Sequence, residues 1–449
     1  MIKKPNQILN RPFIPRVTFV LGRGISVGII TGLIVSVFRW ILDQAMKCVY
    51  HIYPQMATHH VLLIPYIILM ILICILLGKI ISPYIKNLAG SGISQVEAIF
   101  EGENYMPWWE ILWRKFVGGI LASAPGLMLA REGPCIQMGT MVGQGLAEDL
   151  YKSDKKELRR LQQSGIAAGL SAAFSAPMAS VFFLIEVITH ELKPIDALSA
   201  LVASFSADLI TVIFFGTKPC LYLPVKNDLP LHAYWALPLI GIILGIFAYI
   251  YQYCLLSLRP IFSKITIIPR QYHSIIPLIL IIPVGLWNAK LLGGSHLLIS
   301  SLFKHEVLTD LSKGSTTLIL IAIGIFFIRF IYSMLSYGAS VPGGTFMPIL
   351  VLGALLGVIF ANVLVHNDVI STTYYPHIII ISMAAYFGAI AKAPFTAVIL
   401  LTEMVGTVEQ VLPMILTTFI AYYILDLLGG RSLYDEQRIQ MDFKHHPTD

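Results

Sequence analysis

Charged side chains are scarce in this chain: Asp, Glu, Lys and Arg make up 12% of 449 residues, about half of the roughly 25% found in ordinary soluble domains. So few charges cannot clothe a water-exposed surface of this size. Cysteine is also sparse. Cys48, Cys74, Cys135, Cys220 and Cys254 are odd in number and never in CxxC spacing, which excludes a disulfide framework and a zinc ribbon and leaves them as packing residues. A His-Glu-x-x-His helix, an Asp pair and a Ser–His arrangement are all absent from the apolar segments, so an enzyme working inside a bilayer is not indicated. His59-His60 and His445-His446 fall in polar stretches and indicate no metal site, and no cofactor motif is present.

The N-terminal stretch lacks the apolar core and cleavage site of a secretory signal, because Pro5 and Pro12 interrupt it. Lys3, Lys4, Arg11 and Arg16 precede the first apolar segment and place this end in the cytoplasm by the positive-inside rule. Flanks of that kind account for the formal charge of +6 without a nucleic-acid partner.

Apolar residues, by contrast, make up 56% of the chain. They gather in runs such as 61–78, 235–250, 317–328, 347–365 and 411–428, near the ~20 residues that a helix needs to cross a hydrocarbon core. The runs follow one another too closely for a soluble domain to fit between them. The pattern predicts an all-α polytopic membrane protein embedded in a lipid bilayer. Its expected divisions are a cytoplasmic segment 1–17, a first membrane repeat 18–216, a linker 217–230, a second membrane repeat 231–430 and a cytoplasmic tail 431–449, too short for a regulatory domain.

The repeat is legible in the residues. Segment 167–186 aligns without gaps on 384–403, so that Ala176-Pro177 and Glu186 mirror Ala393-Pro394 and Glu403. Upstream, 131–143 matches 345–357 through a proline followed by glycines five and nine residues later. Two related halves are a transporter design, with the ligand site where helices stop inside the membrane. The Gly139/Gly143 and Gly353/Gly357 spacings suit close helix packing.

A small anion in a bilayer needs donors to replace its hydration, and backbone N–H groups at a helix N-terminus supply them together with a favourable dipole. Glycine lets backbone approach an ion, and proline suits the first helical turn. Three segments have this character: Gly90-Ser91-Gly92-Ile93, Glu132-Gly133-Pro134 and Gly343-Gly344-Thr345-Phe346-Met347-Pro348. Irregular backbone at membrane depth is tolerated only where it lines a cavity. Glu132 stands beside Arg131 in an apolar stretch, where a charge costs at least ~2.5 kcal/mol, so a functional role outweighs simple helix capping. Glu97, Glu186 and Glu403 are expected in buried ion pairs or backbone contacts, with Arg329 and Lys392 as available partners.

With these segments the sequence resembles the CLC family of chloride channels and chloride/proton exchangers. The family signatures GSGIP, GREGP and GxFxP appear as GSGIS at 90–94, AREGP at 130–134 and GTFMP at 344–348, in family order, followed by Tyr434 in GGRSLYDE; the resemblance covers about residues 18–436. It implies a fold of tilted and broken helices in two inverted structural repeats, placed in a bacterial inner membrane as a homodimer with one pore per subunit. It further implies that Ser91 and Tyr434 donate hydroxyls to a central anion, that the backbone N–H groups of Thr345 and Phe346 face it, and that Glu132 is gate and proton carrier. Ser91 argues for chloride, with bromide or nitrate as lesser substrates.

Ala130 and Ser94 depart from the family's glycine and proline and are expected only to adjust loop geometry. Val187 is the larger departure. Exchangers of the family usually carry a second, inner glutamate at this position, and valine cannot hold a proton. The compact chain resembles the bacterial exchangers, so proton-coupled chloride exchange is the expectation, with a passive gated chloride channel as the alternative. If exchange holds, protons reach Glu132 through water or through Glu191, placed one helical turn after Val187 with His190 beside it.

Overall fold

A computed structural model describes residues 13–443 apart from 224, 226, 295 and 304–315. The first half contains α1 (Phe13–Thr58), α2 (Leu63–Ile81), α3 (Ile85–Leu88), α4 (Ile93–Phe100), α5 (Trp108–Ser123), α6 (Glu132–Gly145), α7 (Lys155–Phe174), α8 (Pro177–Phe183) and α9 (Pro194–Phe215). The second contains α10 (Ala236–Ser263), α11 (Ile275–Trp287), α12 (His296–Leu302), α13 (Thr316–Gly338), α14 (Phe346–His366), α15 (Tyr375–Ala391), α16 (Pro394–Val405) and α17 (Val411–Leu427), followed by the tail helix α18 (Leu433–Met441). Seven helices among the described residues are long and apolar enough to cross a membrane, and the chain is an integral multi-pass membrane protein. Several others stop short. α4, α8 and α16 have only 8, 7 and 12 residues, so their ends lie inside the bundle and must find partners there.

Packing repeats between the halves. α6 lies on α7, α7 on α9 and α9 on α1; in the same pattern α14 lies on α15, α15 on α17 and α17 on α10. The closest crossing joins α6 to α7, where a Cβ on Gly139 would fall 2.1 Å from the Gly165 carbonyl and one on Gly165 1.9 Å from the Gly139 carbonyl. Only glycine permits that backbone contact, which fulfils the small-residue packing expected at Gly139. Gly353 and Gly357 perform the corresponding task of α14 against α15.

Direction along the membrane normal follows from connectivity. α1 ends at one face and α2 returns to the other, where Lys86 lies; this second face, where α1 begins, is called inner below, as the positive-inside rule expects, and the opposite face outer. The later part of α1, Arg39 to Tyr50, lines an outer cavity, whereas the last turns of α10, Leu255 to Ser263, line a cavity shared with Lys86. α1 and its repeat mate α10 therefore run in opposite directions, and the two repeats are inverted.

Candidate functional site

Three loops are stitched together at the centre of the bundle. The Gly90 amide donates to the Val341 carbonyl at 2.8 Å and the Gly343 amide to the Gly90 carbonyl at 3.1 Å, while Ala130 and Gly344 exchange amide-to-carbonyl bonds of 2.7 and 2.8 Å. This hub satisfies backbone that leaves helical structure at membrane depth, as it must. From it α4, α6 and α14 depart, so three helix N-termini, each with unpaired N–H groups and a favourable dipole end, share one small region. The fit is tight: a Cβ on Gly133 would lie 2.5 Å from the Ser91 carbonyl oxygen. Ala130, at the family's glycine position, keeps the hub intact.

The side chains singled out from the sequence meet here. Ser91 is buried and its Oγ accepts from the Ile93 amide at 3.2 Å. Phe346 sits in an aromatic cluster, its ring centroid 4.9 Å from Phe174, 4.2 Å from Phe387 and 6.5 Å from Phe183; the Phe183 centroid in turn lies 6.3 Å from that of Tyr434. The Thr345 Oγ1 and the Tyr434 hydroxyl are buried here without a hydrogen-bond partner, and the Glu132 carboxylate is buried beside them. Polar atoms inside a protein are ordinarily hydrogen-bonded, so free hydroxyls beside three helix N-termini are donors available to a ligand. Helix dipoles and hydroxyl donors are the chemistry that suits a small anion.

Glu132 is the first residue of α6 and lines the outer cavity, about 410 Å³, together with Arg39, Lys47, Arg131, Lys218 and His296. Arg131 Nε is 4.0 Å from its carboxylate, while Arg131 Nη1 holds Asp43 at 2.8 Å and Nη2 meets the His296 ring at 3.2 Å. The inner cavity, about 440 Å³, ends at Gly90 and Tyr337 and is lined by Lys86, Arg259, Arg270 and His273. Both approaches are rich in cations, which raises the local anion concentration.

Tyr434 reaches the centre on α18, and Ser94 holds it there. The Ser94 hydroxyl donates to the Tyr434 carbonyl at 3.0 Å, so this departure from the family's proline ties the tail helix to α4. Lys115 is a residue that sequence reasoning passed over. Its fully buried ammonium donates to the Leu88 carbonyl at 3.0 Å and the Gly90 carbonyl at 2.9 Å, fixing the Ser91 loop from behind. A lysine inside the apolar run of α5 is the signal that could have found it.

The other carboxylates divide. Glu186 and Glu403 make backbone contacts, each with the opposite repeat. Glu403 accepts from the amides of Met178 and Ala179 at 3.1 and 2.8 Å, and Glu186 from those of Phe395 and Thr396 at 3.2 and 2.6 Å. Glu97 pairs with Arg438 Nε at 3.0 Å. The expected cationic partners are engaged elsewhere: Arg329 donates to the carbonyls of Leu291 and Gly293, and Lys392 pairs with Asp426.

The placement expected for Glu191 does not hold. The helical segment that continues α8 spans Leu184–Thr189 and ends at His190, which adopts a left-handed conformation with φ 51°. Glu191 thus leaves the face of Val187, lies 62% exposed and pairs with Lys193, whose ammonium holds its carboxyl below the ordinary range. Lys193 and Pro194 start the next helix at once, so no turn remains to carry Glu191 inward. The described cysteines are all free, and His445-His446 lie outside the described residues.

Inverted repeats, broken helices and a buried centre of helix N-termini between two cation-lined cavities define a membrane transport protein of the anion-handling class. Residues 70–426 match the voltage gated chloride channel family, and the chain belongs to that family. It is 28% identical over 453 residues to the H(+)/Cl(-) exchange transporter ClcA of Yersinia pestis bv. Antiqua (strain Angola), covering 95% of this chain and 88% of that protein. ClcA of Vibrio cholerae serotype O1 (strain ATCC 39541 / Classical Ogawa 395 / O395) is 29% identical over 361 residues, covering 78% of this chain and 73% of its own. Among solved structures, a slow cyanobacterial Cl−/H+ antiporter superposes with a TM-score of 0.84 at 24% identity, covering 94% of this chain and 97% of that one. A CLC-type fluoride/proton antiporter gives 0.74 at 20%, covering 95% and 99%.

Proposed function

We propose that this protein exchanges chloride for protons across the membrane, with Glu132 as the element that couples them. The observation that carries the reading is the coincidence of one carboxylate with the anion centre: Glu132 starts α6 at the hub and is fully buried, with Arg131 Nε 4.0 Å from its carboxylate. Ionised, it is itself an anion at three helix N-termini and competes with chloride for them. Protonated, it loses that attraction and yields the place to chloride. One centre that holds either a chloride or a carboxylate, and releases the carboxylate only with a proton, moves the two ions in opposite directions.

In this reading chloride arriving from the inner cavity is met by the Ser91 and Tyr434 hydroxyls and the backbone N–H groups of Thr345 and Phe346. Glu132 closes the centre toward the outer cavity and takes up its proton there. The similarity to exchange transporters of comparable length supports coupling. Val187 favours the second reading, a passive gated chloride channel, since a buried valine offers no proton site on the inner side. The family resemblance supports a homodimer with one pore in each subunit.

Flux from reconstituted vesicles decides between the readings. Chloride efflux and internal pH are recorded together under a chloride gradient with no imposed pH gradient. Protons moving uphill as chloride leaves establish exchange; chloride efflux without proton movement establishes the channel.

A further inference from the structure

Coupled exchange needs a proton route between Glu132 and the cytoplasm, and Val187 cannot supply it. The carboxylates that the sequence offers are otherwise occupied, because Glu186 and Glu403 cap helices with both oxygens and Glu191 is exposed against Lys193. Among the described carboxylates, buried oxygens without a hydrogen-bond partner remain on Glu97, Glu132, Glu157 and Asp208. Glu157 Oε1 faces Arg23 at 3.5 Å, and Asp208 lies near Arg39 and Ser175 of the outer cavity. Glu97 is left on the inner side.

Glu97 is 99% buried on α4, a helix that packs against both the Leu184–Thr189 segment carrying Val187 and the tail helix α18. Its Oε1 accepts from Arg438 Nε at 3.0 Å, and Arg438 Nη1 also holds Glu103 at 2.6 Å. Its Oε2 has no donor. Asp435, one residue beyond Tyr434, brings a second carboxyl close by, and ligand atoms of Glu97, Asp435 and His190 all lie within 4.8 Å of one another. Two facing carboxylates are both acceptors, so the pair is satisfied only when one of them carries a proton. The His190 imidazole beside them can accept a proton at one ring nitrogen and donate one at the other. His190 is held in this group by the same left-handed turn that removes Glu191 from it. His190 is exposed and Asp435 half-buried, which gives the group contact with water, whereas Glu97 is sealed inside.

We infer that Glu97, His190 and Asp435 form the inner proton-transfer site of the exchanger, in the role that Val187 has vacated. The inference rests on the exchange reading above. A proton from cytoplasmic water binds the His190 imidazole or the Asp435 carboxylate, passes to Glu97, and is carried by water entering past Val187 to the Glu132 carboxylate; the return of each group to its ionised or neutral form completes the transfer. Arg438 sets the charge balance: with Glu97 and Asp435 sharing one proton, the remaining negative charge faces its guanidinium.

The test is chloride efflux and proton uptake by Glu97→Gln in reconstituted vesicles beside the unaltered protein. Glutamine keeps the acceptor for Arg438, which also retains Glu103, but cannot carry a proton. Chloride efflux is expected to persist while proton uptake falls by about tenfold or more, with Glu97→Asp restoring part of it. Proton uptake unchanged in Glu97→Gln overturns the inference and leaves exchange standing, whereas an unaltered protein that moves no protons overturns the exchange reading itself. Should Glu97→Gln fail to assemble, His190→Gln with Asp435→Asn decides, because the Glu97–Arg438 pair is untouched: lost coupling with retained chloride efflux supports the relay, and full coupling overturns it.

Discussion

The carboxylate of Glu186 in the first repeat accepts both the amide and the hydroxyl of Thr396 in the second, at 2.6 and 2.5 Å. Glu403 of the second repeat returns the contact to Met178 and Ala179 of the first. Each short helix, α8 and α16, begins with Pro177 or Pro394, whose missing N–H leaves the following amides as the exposed donors. The carboxylate that answers those donors comes from the other repeat, so the two helix starts and two glutamates lock the halves across their pseudo-twofold axis.

Removal of either carboxylate is therefore expected to weaken the fold and spare the chemistry. Glu186→Ala strips three hydrogen bonds to a charged acceptor, which by the usual ~1.5–3 kcal/mol for such bonds puts the loss near the upper end of that range. Thermal unfolding in detergent should show it, with Glu403→Ala close behind. Chloride efflux per folded molecule should remain; its loss together with unchanged stability would mean that these glutamates act in transport.

Gly133→Ala tests the hub. The added Cβ would meet the Ser91 carbonyl oxygen at 2.5 Å and its Cβ at 2.9 Å, and backbone cannot step aside there as a flexible side chain could. The α4 and α6 N-termini must part, and chloride affinity measured by titration calorimetry is expected to fall by about tenfold, a 1.4 kcal/mol effect. Gly324→Ala, with nothing within 4 Å of its new Cβ, is the control and should bind as before.

Much of this site is local in sequence and so was legible. The glycine loops at 90–93, 132–134 and 343–348 carry their own turn and helix-start chemistry, and the aligned Ala-Pro steps disclosed the repeat. What one dimension conceals is who meets whom. Glu186 and Glu403 were legible as equivalent but not as exchanged, because their partners lie 209–210 and 224–225 residues away. Glu97 finds Arg438 across 341 residues. The misplacement of Glu191 has a local cause, since a helical face was extended through His190, where a positive φ ends it.

Lys115→Met should separate loop support from loop chemistry. Methionine fills much of the lysine's volume but takes the lysine donor from the Leu88 carbonyl and leaves the Gly90 carbonyl with the Gly343 amide alone, at about 1–3 kcal/mol for a buried group left unsatisfied. The Ser91 loop loses its rear support and a nearby positive charge at once. Chloride affinity is expected to drop by about tenfold or more in titration calorimetry. Arg is too large to restore it, so Lys115→Arg should not recover wild-type affinity.

Glu132→Gln separates the two ions. Glutamine has nearly the shape of the protonated carboxyl and never its charge, so it cannot displace chloride from the helix N-termini and cannot deliver a proton. Chloride should pass down its gradient without proton movement, and the flux should lose its dependence on outer pH, since on the reading proposed above the carboxylate that closes the centre is gone. The unaltered protein should behave in the opposite sense: acid outside protonates Glu132 and frees the centre for chloride, while alkali keeps the carboxylate in place and slows exchange. Simultaneous recording of chloride and pH in vesicles at several outer pH values distinguishes these outcomes. Retained proton coupling in Glu132→Gln would show that the proton passes elsewhere, and loss of chloride binding as well would make Glu132 a structural cap of α6 and not its gate.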